Sequence, residues 1–254
     1  MRKEKKLPGV RWGLAMMFLS MASANAQEKH TEHYNQVWLG YFNQTRFSNK
    51  WGSWTDLHLR TKEDFFTGLS QSILRFGVTY YLNEDTRLTA GYAYVTNYPG
   101  DNHPGVAQPE HRGWQQIQWS NDYAKIRTTQ WFRLEEKFKR KILNDSTLAS
   151  GYGFYYKIRY NFNLQVPLSK KRFQPKTLSF VVNDEVHINF GKQIVYNYFD
   201  QNRFFLGFSF QTSKTNNLRF GYMNLFQQLS SGNHYKLINA ARVFYYHNID
   251  VRKK

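Results

Sequence analysis

From Gly151 to Val166 the chain reads GYGFYYKIRYNFNLQV. Tyr152, Phe154, Tyr156, Ile158, Tyr160, Phe162, Leu164 and Val166 alternate without a break against Gly153, Tyr155, Lys157, Arg159, Asn161, Asn163 and Gln165. A period of two marks a β-strand with one apolar and one polar face. A run of about sixteen residues is roughly three times the usual strand length. A strand that long needs a thick apolar medium against its apolar face, and a lipid bilayer is one.

The N-terminus fits that setting. Arg2, Lys3, Lys5, Lys6 and Arg11 accompany an apolar run over 12–22 and an Ala24-Asn25-Ala26 triplet. This order predicts a cleaved signal peptide over residues 1–26 and a mature chain over 27–254. The apolar run is too short to cross a membrane as a helix, and no later stretch reaches eighteen apolar residues. A mean hydropathy of −0.68 does not argue against the bilayer, because a barrel strand shows lipid only every second side chain. The absence of cysteine suits export, and an aromatic content of 18% suits the aromatic girdles of a membrane barrel. A sequence pI near 9.9 would ordinarily suggest nucleic acid, but an exported barrel is kept away from it.

The two-residue period returns along the whole chain and no helical period does. It predicts one domain with strands at 34–46, 51–62, 69–82, 86–98, 110–120, 123–135, 151–166, 177–190, 201–212, 216–228 and 234–250. The expected fold is all-β: a single antiparallel transmembrane β-barrel of 10–12 strands. Eleven segments are visible, yet single-chain bacterial barrels have even numbers, so the expectation is ten or twelve. Short turns are expected at 83–85, 121–122 and 213–217, and longer outer loops at 99–109, 136–150, 191–200 and 229–233. The link at 166–176 is longer than its position in that alternation predicts.

Parity sorts the faces. Leu74, Phe76, Val78 and Tyr80 oppose Arg75 and Thr79; Leu88, Ala90, Tyr92 and Tyr94 oppose Arg87, Thr89 and Gly91; Phe204, Leu206, Phe208 and Phe210 oppose Arg203, Gly207 and Ser209. With lipid outside, the arginines point into the lumen. A two-residue turn at Asn121-Asp122 would place Glu110 opposite Arg133, with Arg112 diagonal to Arg133 and Glu135. Across the 191–200 loop, Arg203 would lie opposite His187 and diagonal to Glu185.

The runs Glu110-His111-Arg112-Gly113-Trp114-Gln115-Gln116, Arg133-Leu134-Glu135-Glu136-Lys137-Phe138, Asn183-Asp184-Glu185 and Asp200-Gln201-Asn202-Arg203, with Gly207, resemble a family of uncharacterised exported proteins of Gram-negative bacteria. It is catalogued as domain of unknown function 2490. The resemblance spans about residues 30–250. It implies an outer-membrane β-barrel without implying an activity. The final Arg252-Lys253-Lys254 departs from the terminal aromatic common among such barrels.

The predicted lumen set is Glu110, Arg112, Arg127, Arg133, Glu135, Lys157, Arg159, Glu185, His187, Arg203 and Arg219, with Arg60, Arg75 and Arg87. Such charges either satisfy one another as a structural network or, being mostly cationic, form a narrow anion-preferring passage. A lipid-modifying enzyme is the alternative in another class, but a base and a nucleophile must sit within about 3 Å. His187 and Ser209 fall several residues apart, His58 beside Asp56 and Arg60 reads as structural, and His111 falls on the lipid side. A secreted soluble barrel around an apolar ligand would use the same alternation inside out. No cofactor signature occurs, and His30, His33 and His103 make no metal-ligand set. Lys137, Lys139, Arg140 and Lys141, placed in a long outer loop, are expected to meet outer-membrane lipids, lipopolysaccharide included. Nothing in the sequence specifies an oligomeric state.

Overall fold

A computed structural model of the chain describes residues 29–62, 64–99 and 105–252. The signal peptide and His103 lie outside them. Eleven strands are present among the described residues: β1 (His30–Arg46), β2 (Trp51–Thr61), β3 (Leu69–Tyr81), β4 (Thr86–Asn97), β5 (Gln108–Asp122), β6 (Arg127–Asn144), β7 (Thr147–Pro167), β8 (Thr177–Phe190), β9 (Phe199–Gln211), β10 (Asn216–Gln228) and β11 (His234–Asp250). Each pairs antiparallel with the next, and β1 closes the barrel against β11.

That closure overturns two expectations. The count is odd, and the closing pair is parallel, running in step from His30↔His234 to Arg46↔Asp250. An even number is needed only when the first and last strands meet antiparallel; a parallel seam closes an odd set. His30 stacks on His234 at one end of the seam, ring centroids 5.0 Å apart. At the other end Arg46 holds Glu84 through both oxygens, at 2.6 and 2.9 Å, and Arg252 reaches Glu84 at 3.7 Å and Asn49 at 3.2 Å. The bond from Arg46 holds the exposed Glu84 carboxyl below its ordinary pKa.

The 136–150 loop is also corrected. The strands β6 and β7 run on through it to Asn144↔Thr147, with only Asp145 and Ser146 between, and β7 reaches 21 residues. One rim therefore carries the links 62–68, 98–107, 145–146, 191–198 and 229–233. The other carries 47–50, 82–85, 123–126, 168–176 and 212–215.

Outside, the barrel wears the apolar face that parity predicts. Val78 is 58% exposed and Phe76 50%, with Leu74, Leu88, Phe132, Ile158, Leu206, Phe208 and Phe220 around the same belt. Among the described residues no helix is long and apolar enough to cross a membrane. His111 lies on this outer face among Tyr92, Tyr94 and Tyr152.

Inside, the barrel is partly packed. Trp38, Phe42, Trp54, Trp114, Phe205 and Phe244 form a buried cluster with Ile73, Val95, Met223 and Leu225. Two facing glycine pairs make room for it. Gly77 faces Gly91 across β3 and β4, and a Cβ on Gly77 would come within 2.9 Å of the Trp114 indole. Gly207 faces Gly221 across β9 and β10, where a Cβ on Gly207 would come within 2.6 Å of the Phe205 ring.

Candidate functional site

The interior holds a cavity of about 790 Å³, lined by residues from both rims: Lys62, Gln227 and Leu229 near one, Glu84, Asp85 and Asp122 near the other. Fifteen lysine and arginine side chains but seven aspartates and glutamates contribute to its lining among the described residues. The cations are divided between two walls with different chemistry.

On the wall from β5 to the start of β9 the charges form an unbroken chain. Lys137 Nζ lies 3.2 Å from Glu110, which also accepts from Arg112 Nε. Arg112 reaches Glu135 at 3.4 Å; Arg159 Nη1 donates to Glu135 at 2.7 Å and its Nε to Glu185 at 2.7 Å. His187 Nε2 is 2.7 Å from Glu185, and its Nδ1 is 3.8 Å from Asp200, which takes Lys157 Nζ at 2.6 Å. Strand parity builds this chain, because Glu110 and Arg112, Glu135 and Lys137, Lys157 and Arg159, and Glu185 and His187 are each two apart and so share the inner face. Glu135 is 1% exposed and has three guanidiniums around it, counting Arg133 at 3.8 Å. A carboxylate this deep stays charged only because it is so surrounded.

The registers differ from those expected. Asn121 and Asp122 belong to β5, and the turn is 123–126, so Glu110 faces Lys139 and Gln116 faces Arg133. Arg133 accordingly donates from Nε and Nη2 to Gln116, at 2.9 and 2.6 Å. Across β8 and β9, Glu185 faces Arg203 directly and His187 faces Gln201.

Lys137 is a correction. It is not in a loop; it is 4% exposed on the inner face of β6, with Nζ donating to Tyr155 at 2.7 Å. Lys139 also lines the cavity. Arg140 lies over the outward Tyr152 ring, and Lys141 is exposed on the strand extension.

Of the remaining predicted residues, Arg127 sits apart at the rim, holding Asp122. Arg203 and Arg219 lie outside the chain of charges. Arg219 Nη1 donates to Asn163 at 2.9 Å, and Arg203 gives Nε and Nη2 to the neutral amide of Gln201, both at 3.2 Å. Arg75 holds both oxygens of the fully buried Asp56, at 2.9 and 2.8 Å. His58 Nε2 approaches Asp56 to 3.0 Å without hydrogen-bond alignment.

The wall formed by β1, β2, β9, β10 and β11 is cationic and aromatic. Arg60 lies over Trp38, with its guanidinium carbon 3.7 Å from the ring centroid, and Arg203 approaches the same ring at 5.0 Å. Arg242 lies over Phe205 at 3.8 Å and Phe244 at 4.6 Å. Arg242, Asp56, Asp200 and Lys236 were not in the predicted set. Parity could have found the strand members: Arg242 and Lys236 share a face with Phe244, and Asp56 shares one with Arg60.

His187 and Ser209 are not brought together. His187 has Glu185 and Gln201 as hydrogen-bond partners, whereas Ser209 faces Ser179 and donates to Asn217 at 2.9 Å. Among the described residues no group of three His, Cys, Asp or Glu side chains could hold a metal ion.

The model of a family described as protein of unknown function (DUF2490) matches residues 35–236. No curated protein matches the chain. Among solved structures, the NanC porin is similar with a TM-score of 0.47 at 10% identity; the similarity covers 84% of this chain and 98% of that one.

Proposed function

The chain belongs to the DUF2490 family, whose description assigns no activity, and on that premise we propose that it is an outer-membrane β-barrel with a narrow anion-preferring passage. The belt of exposed Leu, Phe, Val and Ile supports the membrane setting, because a soluble barrel would put those residues inside and its arginines outside. The predicted leader supports export. Of the predicted basic cluster, Arg140 and Lys141 on the β6 extension lie outside the cavity lining, and these two would face outer-leaflet lipids.

One observation carries the passage. The interior cations exceed the anions, and the excess is concentrated where no carboxylate is hydrogen-bonded. On the β5–β9 wall every carboxylate has cationic partners, so that wall works as a structural brace. Arg60, Arg203, Arg219 and Arg242 face the same cavity with aromatic or amide neighbours instead. Guanidinium groups that line a lumen without a carboxylate hydrogen-bonded to them attract anions and repel cations.

The test is conductance in a planar bilayer under a potassium chloride gradient. The expected reversal potential has the sign of chloride selectivity, and exchanging Arg60 and Arg242 together for glutamine brings it toward zero. A folded barrel that opens no conductance above background ends the passage reading.

A further inference from the structure

Two guanidiniums, Arg60 and Arg203, lie over the Trp38 indole, and a third, Arg242, is its ladder neighbour and lies over Phe205 and Phe244; Arg60 and Arg242 have no protein acceptor among the described residues. Arg60, Trp38 and Arg242 are ladder partners in one row crossing β2, β1 and β11, all on the inner face. The same row continues into Gly221 and Gly207, which contribute no side chain. Arg203 reaches Trp38 from β9. Rings hold the flat faces of guanidinium groups and leave their N–H edges available. The Nε of Arg60 and of Arg242 is buried without a hydrogen-bond partner, and Arg242 as a whole is 7% exposed. Glu185 acts electrostatically on all three arginines, yet its hydrogen bonds go to Arg159 and His187.

A buried guanidinium without an acceptor is costly in a barrel that could have used leucine there. The opposite wall shows that this chain can supply carboxylates where its arginines need them. The acceptor for Arg60 and Arg242 therefore comes from outside the chain, and Arg203, held by the neutral amide of Gln201, adds a third positive charge beside it. Beyond Arg242 the cavity lining includes an apolar patch, Ile238 on the same strand and Met223 and Leu225 on the next, bordered by Gln36, Gln227 and Lys236.

We propose that Arg60, Arg203 and Arg242 form a binding site for the carboxylate of a small organic acid, whose apolar part lies against Met223, Leu225 and Ile238. This inference rests on the cavity being reachable by anions, as in the passage above, and adds the solute class to it. Trp38 is a positioning residue for Arg60 and Arg203, as Phe205 and Phe244 are for Arg242.

The full chain, folded in detergent, is titrated with benzoate, acetate and inorganic phosphate by calorimetry. The expected result is saturable binding, tightest for benzoate. Arg242→Met is expected to weaken benzoate by about tenfold or more, from the loss of a charge-assisted hydrogen bond, while the rim variant Arg127→Gln leaves it unchanged. Without ligand, Arg242→Met is expected to unfold at the same or a higher denaturant midpoint than the parent, which a merely structural arginine would not allow. The proposal is overturned by no saturable binding to any probe, by phosphate binding more tightly than benzoate, by undiminished benzoate binding in Arg242→Met, or by a lowered midpoint for that variant. Conductance separates it from the passage: a barrel that conducts chloride and binds no probe loses the site alone, and one that binds benzoate and never conducts loses the passage alone.

Discussion

The two walls of the lumen solve the same problem in opposite ways. Both present arginines to a low-dielectric interior. From β5 to the start of β9 each carboxylate is caged by cations, and Glu135 alone is approached by Arg112, Arg133 and Arg159. On β1, β2 and the rest of β9 to β11 the one buried inward carboxylate among the described residues, Asp56, is taken up by Arg75 of β3, and aromatic rings stand in for carboxylates beside the wall's own arginines, as with Arg60 on Trp38 and Arg242 on Phe205. The difference separates bracing from availability. A guanidinium in a carboxylate cage has its donors used, while one stacked on a ring keeps its position and its donors.

The comparison breaks most visibly at Glu135. Glu135→Gln leaves three cations without their shared counter-charge, and the expected loss is about 3–5 kcal/mol, read from denaturant unfolding in detergent. A loss below about 1 kcal/mol would mean that the braced wall is no brace. Next in size is Gly207→Ala on the other wall, where the new Cβ would come within 2.3 Å of the Phe220 carbonyl oxygen and 2.6 Å of the Phe205 ring. About 1–3 kcal/mol is expected, and Phe205→Leu in the same chain should recover only the ring's share. The smallest effect is expected at the rim. Arg46→Gln removes a two-oxygen contact with Glu84 that resembles the braced wall in chemistry and differs from it in solvation, since Glu84 is 70% exposed. Its cost should be the smallest of the three and shrink in high salt, which would show that burial, and not pairing as such, separates the two walls.

Much of this was legible in the residues. Each of the eleven strands overlaps a segment that the two-residue period marks, because an outward apolar stripe runs along it, but β6 starts and ends later than 123–135 and β7 extends beyond 151–166 at both ends. Registers were less legible, since a turn length fixes them: Asn121-Asp122 has turn-like composition, yet the chain extends through it and turns at 123–126. Lys137 was misread because a run of lysines and arginines looks solvated, and only the distant Glu110 explains why it is inside. The aromatic wall was hidden for a different reason. Trp38, Trp54 and Phe205 stand at inward positions, so apolar residues fill both faces of their strands and the alternation that marks a lipid-facing stripe fades there.

The parallel seam has one more effect. Every other strand pair is tied by a direct link, of two to ten residues, that limits how far one strand can slide along the other. The pair β1 and β11 is joined only through the rest of the chain, with partners 204 positions apart, as at His30 and His234. A slip of one residue there would exchange inside for outside along a whole strand. The His30–His234 stack at one end and the Arg46, Glu84 and Arg252 clasp at the other are the local contacts that can pin this alignment, in the way a turn does elsewhere. The barrel is thus zipped between two fasteners: its last edge has a backbone ladder like every other, and side chains at its two ends hold the alignment that a turn holds elsewhere.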